Sequence, residues 1–412
     1  MISIEEACTR IDACIEPLEV RNCGLDEALG LILAEPVESS IDSPPFNKAL
    51  MDGFAVRCAD VSSGQARLQI LESVMAGQVP TRRLGPGQAI QIMTGAPLPD
   101  HCDAVVRIED TRCDAASETV EIDGPAVRPG QNLMPRGHAM RAGDRIFDPG
   151  RRLSAQDLGL LAELGVARPR VFPAPRVAVL ATGDELVDAA ESPGPGQIRN
   201  SNQPLICAQV RRAGGIPVPL GIARDNRADL TRLIAQGLSA DVLLLSGGVS
   251  AGVLDLVPSV LVELGVREVF HKVRMKPGKP VWFGTHQRPD QRSVVFGLPG
   301  NPVSSLVCFE LFVRQAMRRL AGLTRTLPER IIARLSEDHI ARGDRPTYYP
   351  ACLYRADDVW MVRPCAWKGS ADLRSTVTGN SMIEFPAGDR QYSPGMPVSV
   401  IPWEPWPGDS TE

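Results

Sequence analysis

Downstream of Pro175 the chain alternates between short apolar runs and longer segments whose apolar residues recur every three or four positions. The runs predict strands, at RVAVLAT (176–182), IPVPLGIARD (216–225), DVLLLSGG (241–248), VREVFHKVRM (266–275) and SVVFGLPG (293–300). The segments predict helices, at QPLICAQVRRAGG (203–215), RADLTRLIAQGL (227–238), LDLVPSVLVELG (254–265) and PVSSLVCFELFVRQAMRRLAG (302–322). This alternation predicts a three-layer α/β unit, in which a mostly parallel sheet is covered on both faces.

Other patterns precede this unit. The segment from Ile4 to Leu33 has a helical pattern, with breaks at Pro17 and around Cys23–Gly24. Between 54 and 136, short alternating runs cut by Gly, Pro and Asp turns predict strands. A helix is then predicted over SAQDLGLLAELG, with Ser154 as its N-cap and Gly165 just after its end.

Short strands return after Leu323 and predict a small β module, followed by a loose tail. The fold class is therefore a multidomain α/β chain with four parts. They are a helical and linker region at 1–45 and 138–173, a β-rich arm at 46–137, the α/β domain at 174–322 and a C-terminal β module at 323–406.

Composition excludes several classes of protein. The 412 residues are 43% hydrophobic and carry a net charge of −5, which does not favour nucleic acid as a partner. No apolar run approaches the roughly 20 residues of a membrane span, and the acidic N-terminus is unlike a signal peptide. The ten cysteines lack metal-site spacing, so we expect reduced thiols in a cytoplasmic protein.

Glycines and carboxylates follow the predicted strands, and ligands of open parallel sheets bind outside the carboxyl ends of the strands. The ends are TGDEL (182–186), ARD (223–225), SGGVSAGVLD (246–255) and GLPGNP (297–302). Gly247, Gly248 and Ser250 stand where backbone N–H groups and a helix N-terminus could hold a phosphate-like anion. The alternative is a strand-to-helix turn that needs glycine for its geometry alone.

The carboxylates of this edge would repel a bare phosphate. A hard divalent cation that bridges carboxylates to phosphate oxygens would explain why this edge carries Asp184, Glu185, Asp225 and Asp255. Asp255 could instead cap the helix that follows it, and Glu185 could be a charge in a first helical turn.

Two further segments supply polar groups. RMKPGKP (274–280) holds Lys276 and Lys279 around a Pro-Gly turn, which suits polyanion binding, although surface lysines are usually only solvated. GQIRNSN (196–202) offers Asn200, Ser201 and Asn202 as neutral donors, although Asn200 or Ser201 could be an ordinary N-cap.

Seven motifs resemble those of a known family and occur in the same order as in that family. They are SPPFNKALMDGFAVR, QIMTGAPLPDHCDAVVRIED, TGDEL with GQIRNSN, SGGVSAGVLD, KPGKPVWFG, GLPGNPVSS and KGSADLRS. Over residues 4–403 the chain is similar to the molybdopterin molybdenumtransferases, the molybdenum-insertion enzymes of molybdenum-cofactor synthesis, which are related to the gephyrin E domain.

The resemblance implies an activity and an assembly. Such an enzyme transfers molybdenum from molybdate to adenylylated molybdopterin in a Mg²⁺-dependent step that releases AMP. It is an elongated homodimer of four-subdomain chains, and each cleft is shared between the subunits. Further partners would be the molybdopterin-adenylylating enzyme and the molybdoenzymes that receive the cofactor, whereas neither nucleic acid nor a membrane is expected.

Site roles carry over by motif. Asp52 of MDG and Thr94 of MTG would line the cleft from the second subunit. Ser370 of KGSADL would face the same cleft. By the same resemblance, Glu185, Asp225 and Asp255 would serve metal and phosphate handling, and Lys276 and Lys279 would hold the anionic pterin phosphate or molybdate. The remaining cofactor contacts would be Asn200, Ser201, Gly247, Gly248 and Ser250.

The chain departs from the family pattern at RGHA, where His138 and Ala139 replace an acidic pair, and at Phe54 of MDGFA. Two other functions therefore stay open. One is adenylylation of molybdopterin, which the same α/β unit performs elsewhere, and the other is a non-catalytic scaffold or paralogue. The sequence does not separate molybdate from tungstate, nor does it identify the recipient enzyme.

Overall fold

The computed structural model describes residues 1–114, 116–248, 256–288 and 291–403, with the backbone alone for Gln291. The chain forms two compact units. One comprises Met1–Glu35, Pro149–Gly159 and the residues from Ala167 onward, and the other comprises Pro36–Asp148 and Leu160–Val166.

A six-stranded sheet forms the centre of the first unit. Four strands run parallel, and two antiparallel strands complete one edge. In spatial order the strands are Ile216–Ala223, Arg176–Thr182, Val242–Ser246, Gln291–Leu298, Trp282–Arg288 and Arg267–His271. The predicted, mostly parallel sheet is confirmed.

Alternate residues of the central strands enter different cores. Val177 and Val179 pack with helices Ile4–Cys14 and Asn202–Arg212 and with the region 302–320. Ala178 and Leu180 point to the opposite face, where they pack with helices Arg227–Gly237 and Val257–Glu263. Both faces are buried, which explains why the strands are continuously apolar in the sequence.

The predicted helices of this unit are present, and so is Ala155–Glu163, where Ser154 Oγ accepts from the N–H of Asp157. The prediction of helix as far as Leu33 is wrong, because the first helix ends at Cys14. Pro17 and a turn at Gly24–Ala28 interrupt the helical hydrogen bonds. The remaining segment forms strands Arg21–Asn22 and Ile32–Leu33, both paired with Arg170–Phe172.

The predicted long helix near residue 310 contains a π-helical segment. Helix Pro302–Cys308 continues into the π segment Phe309–Val313 and then into helix Arg314–Leu320. The π segment carries Glu310, which is fully buried and forms ion pairs with Arg212 and Arg314. Arg314 also donates to the carbonyls of Pro402 and Trp403, so this network joins the helix to the last described strand.

The C-terminal residues form the predicted β module as a closed barrel of five strands. They are Ile331–Leu335, Val359–Pro364, Thr347–Ala356, Ser381–Phe385 and Pro397–Pro402 in spatial order. Two short pairs accompany the unit, His339–Ala341 with Arg390–Tyr392, and Leu186–Val187 with Ile198–Arg199. The 3₁₀ turn Leu373–Thr376 follows the barrel loop that holds Ser370.

The second unit is built from strands, as predicted. Its main sheet has the spatial order Ala104–Arg107, Gly53–Val56, Gln88–Ile92, Gln65–Val74, Thr119–Asp123 and Thr111–Asp114. Two-strand pairs are Lys48–Ala49 with Leu133–Met134 and Val37–Glu38 with Arg145–Phe147, and 3₁₀ turns are Cys58–Asp60 and Ile108–Asp110. The four sequence boundaries drawn above stay a prediction.

All ten cysteines are free. Within the described residues, no helix is long and apolar enough to cross a membrane.

Glu310→Ala should lower the free energy of unfolding by about 3–5 kcal/mol, because it leaves buried guanidinium charge without its carboxylate. Glu263→Ala is the matched control, since Glu263 pairs with Arg227 on an exposed surface and its loss should cost at most about 1 kcal/mol. Thermal and denaturant unfolding measure both. Equal losses would contradict a structural role for the buried pair.

Candidate functional site

The carboxyl ends of the parallel strands meet at one cavity of about 770 Å³, which we call the acidic cavity. All four predicted strand ends contribute to its wall. The lining residues that the sequence analysis singled out are Glu185, Asn200, Ser201, Asn202, Asp225, Gly247 and Gly248. Ser250 and Asp255 lie outside the described residues.

Asp184 and Asp225 fasten two neighbouring strand ends to each other. The N–H of Asp184 donates to Asp225 Oδ2 at 3.3 Å, and the N–H of Asp225 donates to Asp184 Oδ1 at 3.1 Å. Arg224 adds two bonds from Nη1, to the carbonyls of Asp184 and Leu186 at 3.1 and 3.0 Å. These bonds fix the short loop that carries Glu185.

Glu185 turns its carboxylate back over Gly183. Gly183 has φ +148°, so another residue would be strained there, and a Cβ atom on it would lie 2.4 Å from Glu185 Oε2 and would displace that carboxylate. Glu185 and Asp225 thus present carboxylate oxygens to one cavity, the donor type that Mg²⁺ prefers. No group of three or more metal-ligating side chains is found among the residues described, and the predicted third ligand, Asp255, is not among them.

The glycines after Ser246 are needed for backbone geometry. Gly247 and Gly248 have φ +99° and +63°, and a Cβ on Gly247 would lie 2.6 Å from the carbonyl oxygen of Thr182. The backbone geometry of the turn is therefore enough to require glycine at position 247, whether or not a ligand binds there. Thr182 Oγ1 is buried beside this turn without a hydrogen-bond partner among the described residues.

The segment 200–202 combines capping with contact to the cavity. Asn200 Oδ1 accepts from the N–H of Gln203 at 3.1 Å, so the capping alternative holds for Asn200. Ser201 makes no side-chain capping bond. Asn202 donates to Ser246 Oγ and to the carbonyl of Gly300, both at 2.7 Å, and ties this segment to two further strand ends.

A second cavity of about 430 Å³, which we call the cationic cavity, adjoins the first. It contains the predicted Lys276, Lys279 and Ser370, and it adds Arg345 and Lys368. None of the three lysines is ion-paired with a carboxylate in the described part of the chain, whereas Arg345 lies 3.4 Å from Asp344. Clustered lysines that are not ion-paired favour binding of an anion.

The barrel completes the cationic cavity. The N–H of Lys276 donates to the carbonyl of Pro346 at 2.9 Å, and the N–H of Tyr348 donates to the carbonyl of Lys276 at 2.7 Å. Sequence reasoning missed Arg345, Tyr349 and Trp367 because nothing local marks them. Lys368 could have been predicted as a site residue, because it is the first residue of the KGSADL motif that contains Ser370.

The two cavities share three lining residues, Pro280, Pro299 and Asn301. Asn301 is uncharged and donates from Nδ2 to Ser370 Oγ at 2.8 Å. The arrangement is a bipartite site: the cationic cavity is lined by cationic side chains, and the acidic cavity by the carboxylates of Glu185 and Asp225 together with one cation, Arg199.

Asp52 and Thr94 contact each other in the second unit. Asp52 Oδ1 accepts from both the N–H and the hydroxyl of Thr94, each at 2.7 Å, and these bonds lower the pKa of Asp52 from its ordinary value. His138 is exposed, and its neighbour Arg136 pairs with Asp42. The roles predicted for Asp52, Thr94 and His138 stay predictions.

Family models match most of the chain. Residues 2–165 match the MoeA N-terminal region (domains I and II), residues 178–319 match a probable molybdopterin binding domain, and residues 333–403 match the MoeA C-terminal region (domain IV).

Whole proteins are similar over nearly the full length. A molybdopterin molybdenumtransferase of Nostoc sp. is 34% identical over 91% of this chain and 86% of its own. One of Staphylococcus epidermidis is 33% identical over 97% of this chain and 95% of its own. The crystal structure of a molybdopterin biosynthesis MoeA protein from Pyrococcus horikosii superposes with a TM-score of 0.80 at 31% identity, covering 98% of this chain and 100% of that one.

The fold defines a multidomain α/β protein with a bipartite site at the carboxyl ends of its parallel strands. The chain belongs to the molybdopterin molybdenumtransferase family. It is a transferase of molybdenum cofactor biosynthesis.

Replacing both Lys276 and Lys279 by Gln should weaken binding of molybdate about a hundredfold or more, because charge-assisted contacts contribute roughly 1.5–3 kcal/mol each. Lys272→Gln is the control, a lysine of the same region that is not among the lining residues. Titration calorimetry at low and high salt measures the effect. Unchanged affinity in the double variant would remove these lysines from the site.

Thr94→Ala should raise the pKa of Asp52 part of the way to its ordinary value, because the hydroxyl bond is lost while the N–H bond remains. Since the folded-state pKa is lowered, the stabilising bonds are present above the ordinary pKa and are lost as pH falls through the lowered one. Carboxyl NMR titration reports the change. Thr81→Ala, which removes a hydroxyl bonded to Glu72, should leave Asp52 unaffected; equal titrations of Asp52 in all three proteins would refute the assignment.

Proposed function

We propose that this chain inserts molybdenum from molybdate into adenylylated molybdopterin and releases AMP in a Mg²⁺-dependent step. The observation that carries the proposal is the bipartite site, in which a cationic and an acidic cavity meet at Asn301. A reaction that joins an oxyanion to a phosphorylated ligand needs both kinds of surface side by side.

The cationic cavity is the proposed molybdate site. Lys276, Lys279 and Lys368 offer ammonium donors, and Arg345 offers a guanidinium at the same cavity. Ser370 adds a hydroxyl. These groups bind and orient a tetrahedral dianion, and they hold it next to whatever occupies the acidic cavity.

The acidic cavity is the proposed site of the adenylyl phosphate and the cation. Glu185 and Asp225 would hold Mg²⁺, with Asp255 as a third ligand from outside the described residues. Mg²⁺ bound there would neutralise phosphate oxygens and make the phosphorus more electrophilic. Ser201 and the backbone at Gly247 and Gly248 would bind polar groups of the same ligand.

The proposed assembly is a homodimer in which Asp52 and Thr94 serve the partner's site. Support comes from exposed apolar side chains next to Asp52 in the second unit, where Leu50 and Met51 precede it and Ile108 bonds to its carbonyl. Exposed apolar groups around a polar pair are typical of a surface that becomes covered by a partner.

AMP release from adenylylated molybdopterin should require molybdate, stop when EDTA removes Mg²⁺ and return when Mg²⁺ is added. Glu185→Gln should abolish the release, because it removes a metal-binding charge, while the exposed Glu191→Gln should not. A coupled assay for AMP measures all of these. Consumption of ATP with molybdopterin would instead establish the adenylylating function.

Complementation tests the shared site. Asp52→Ala and Glu185→Ala chains should each be inactive alone, and co-refolding should restore one intact site in every heterodimer, because each cleft takes Glu185 from one chain and Asp52 from the other. AMP release after mixing is the readout. No recovery, with heterodimers demonstrated by mass, would mean that each site is built within one chain.

A further inference from the structure

The helix Pro302–Cys308 begins without the usual cap. Asn301 stands at its N-cap position, yet its side chain makes no capping bond to the helix. Pro302 has no N–H, so the first backbone donor is Val303, and it bonds to the carbonyl of Ser370 at 3.0 Å. The barrel loop therefore performs the capping that Asn301 would otherwise provide.

The Asn301 side chain, which does not cap the helix, also bonds to Ser370. Its Nδ2 donates to Ser370 Oγ at 2.8 Å, so two hydrogen bonds hold Ser370 against the start of the helix. The loop is also braced internally, because Asp372 accepts from the N–H groups of Lys368 and Ser375. Ser370 is thus fixed from both sides.

The direction of the Asn301 bond decides what the Ser370 hydroxyl can do. A serine hydroxyl has one proton to donate and two lone pairs. Because Asn301 donates, it occupies a lone pair and leaves the proton for another acceptor. No acceptor for that proton is found in the described part of the chain, and Ser370 lies in the wall of the cationic cavity.

We propose that Asn301 is a positioning residue that turns the Ser370 hydroxyl proton toward the oxyanion held by Lys276 and Lys279. The inference deepens the proposed function and rests on it, since it takes the cationic cavity as the molybdate site. It also assigns Asn301, one of the three residues that line both cavities, a role in only one of them, exerted through Ser370.

A double-mutant cycle on molybdate binding tests the proposal. Titration calorimetry with sodium molybdate is carried out on the parent, Ser370→Ala, Asn301→Ala and the double variant. Ser370→Ala should weaken binding roughly tenfold to hundredfold, because a hydrogen bond to a charged group is lost. Asn301→Ala should weaken it severalfold, and in the Ser370→Ala background it should have no further effect.

The melting temperature of each variant separates positioning from support of the fold. Ser3→Ala is the control, because Ser3 Oγ truly caps its helix by accepting from Glu6. It should lower the melting temperature without changing molybdate affinity, whereas Asn301→Ala should lose affinity with a smaller change in melting temperature.

Three results would overturn the inference. Equal losses from Asn301→Ala with and without Ser370 would mean that Asn301 acts by supporting the fold. Tighter binding in Asn301→Ala would mean that Asn301 had accepted the hydroxyl proton. No loss in Ser370→Ala, while the Lys276→Gln and Lys279→Gln double variant loses affinity, would exclude the hydroxyl as a donor. Unchanged affinity in that lysine variant would instead contradict the proposed molybdate site itself.

Discussion

The parallel register of four strands is the constraint on which the site depends. Thr182 pairs with Ala223, Ala181 with Ser246, and Ser246 with Leu298, so the strands end within about one residue of each other. Parallel strands point the same way, and everything that follows them therefore meets at one edge. Segments that are distant in the sequence therefore line one cavity, although no local sequence feature specifies a contact between them.

This explains what the sequence could predict. Continuous apolar runs with polar ends identify buried parallel strands, and the rule for open sheets then places Glu185, Asp225 and Gly247 together. Periodicity failed after Cys14, because pairing with Arg170–Phe172 turns residues with a helical spacing into strands. Arg345 and Trp367 were out of reach, since they come to the site through tertiary hydrogen bonds between the Lys276 turn and the barrel.

The separation of charge within the site also has a physical reason. Lysines and carboxylates within reach of each other would pair, and a paired lysine is a poorer anion site. Among the residues described, Lys276, Lys279 and Lys368 form no ion pair with Glu185 or Asp225. The boundary between the cavities is neutral, formed by Pro280, Pro299 and Asn301, so both sets of charges remain available to a ligand.

The carboxylates at the strand ends around the acidic cavity are not equivalent. Asp184 and Asp225 each use one oxygen to accept from the other's backbone, and that exchange holds two strand ends together. The Glu185 carboxylate accepts no hydrogen bond from a described group, and its loop is fixed from outside by Arg224. An exposed carboxylate on a rigid loop is ready for a cation without first breaking a bond. A cation at this edge would therefore take its first contact from Glu185, while Asp225 would offer the oxygen that the bond to Asp184 leaves free.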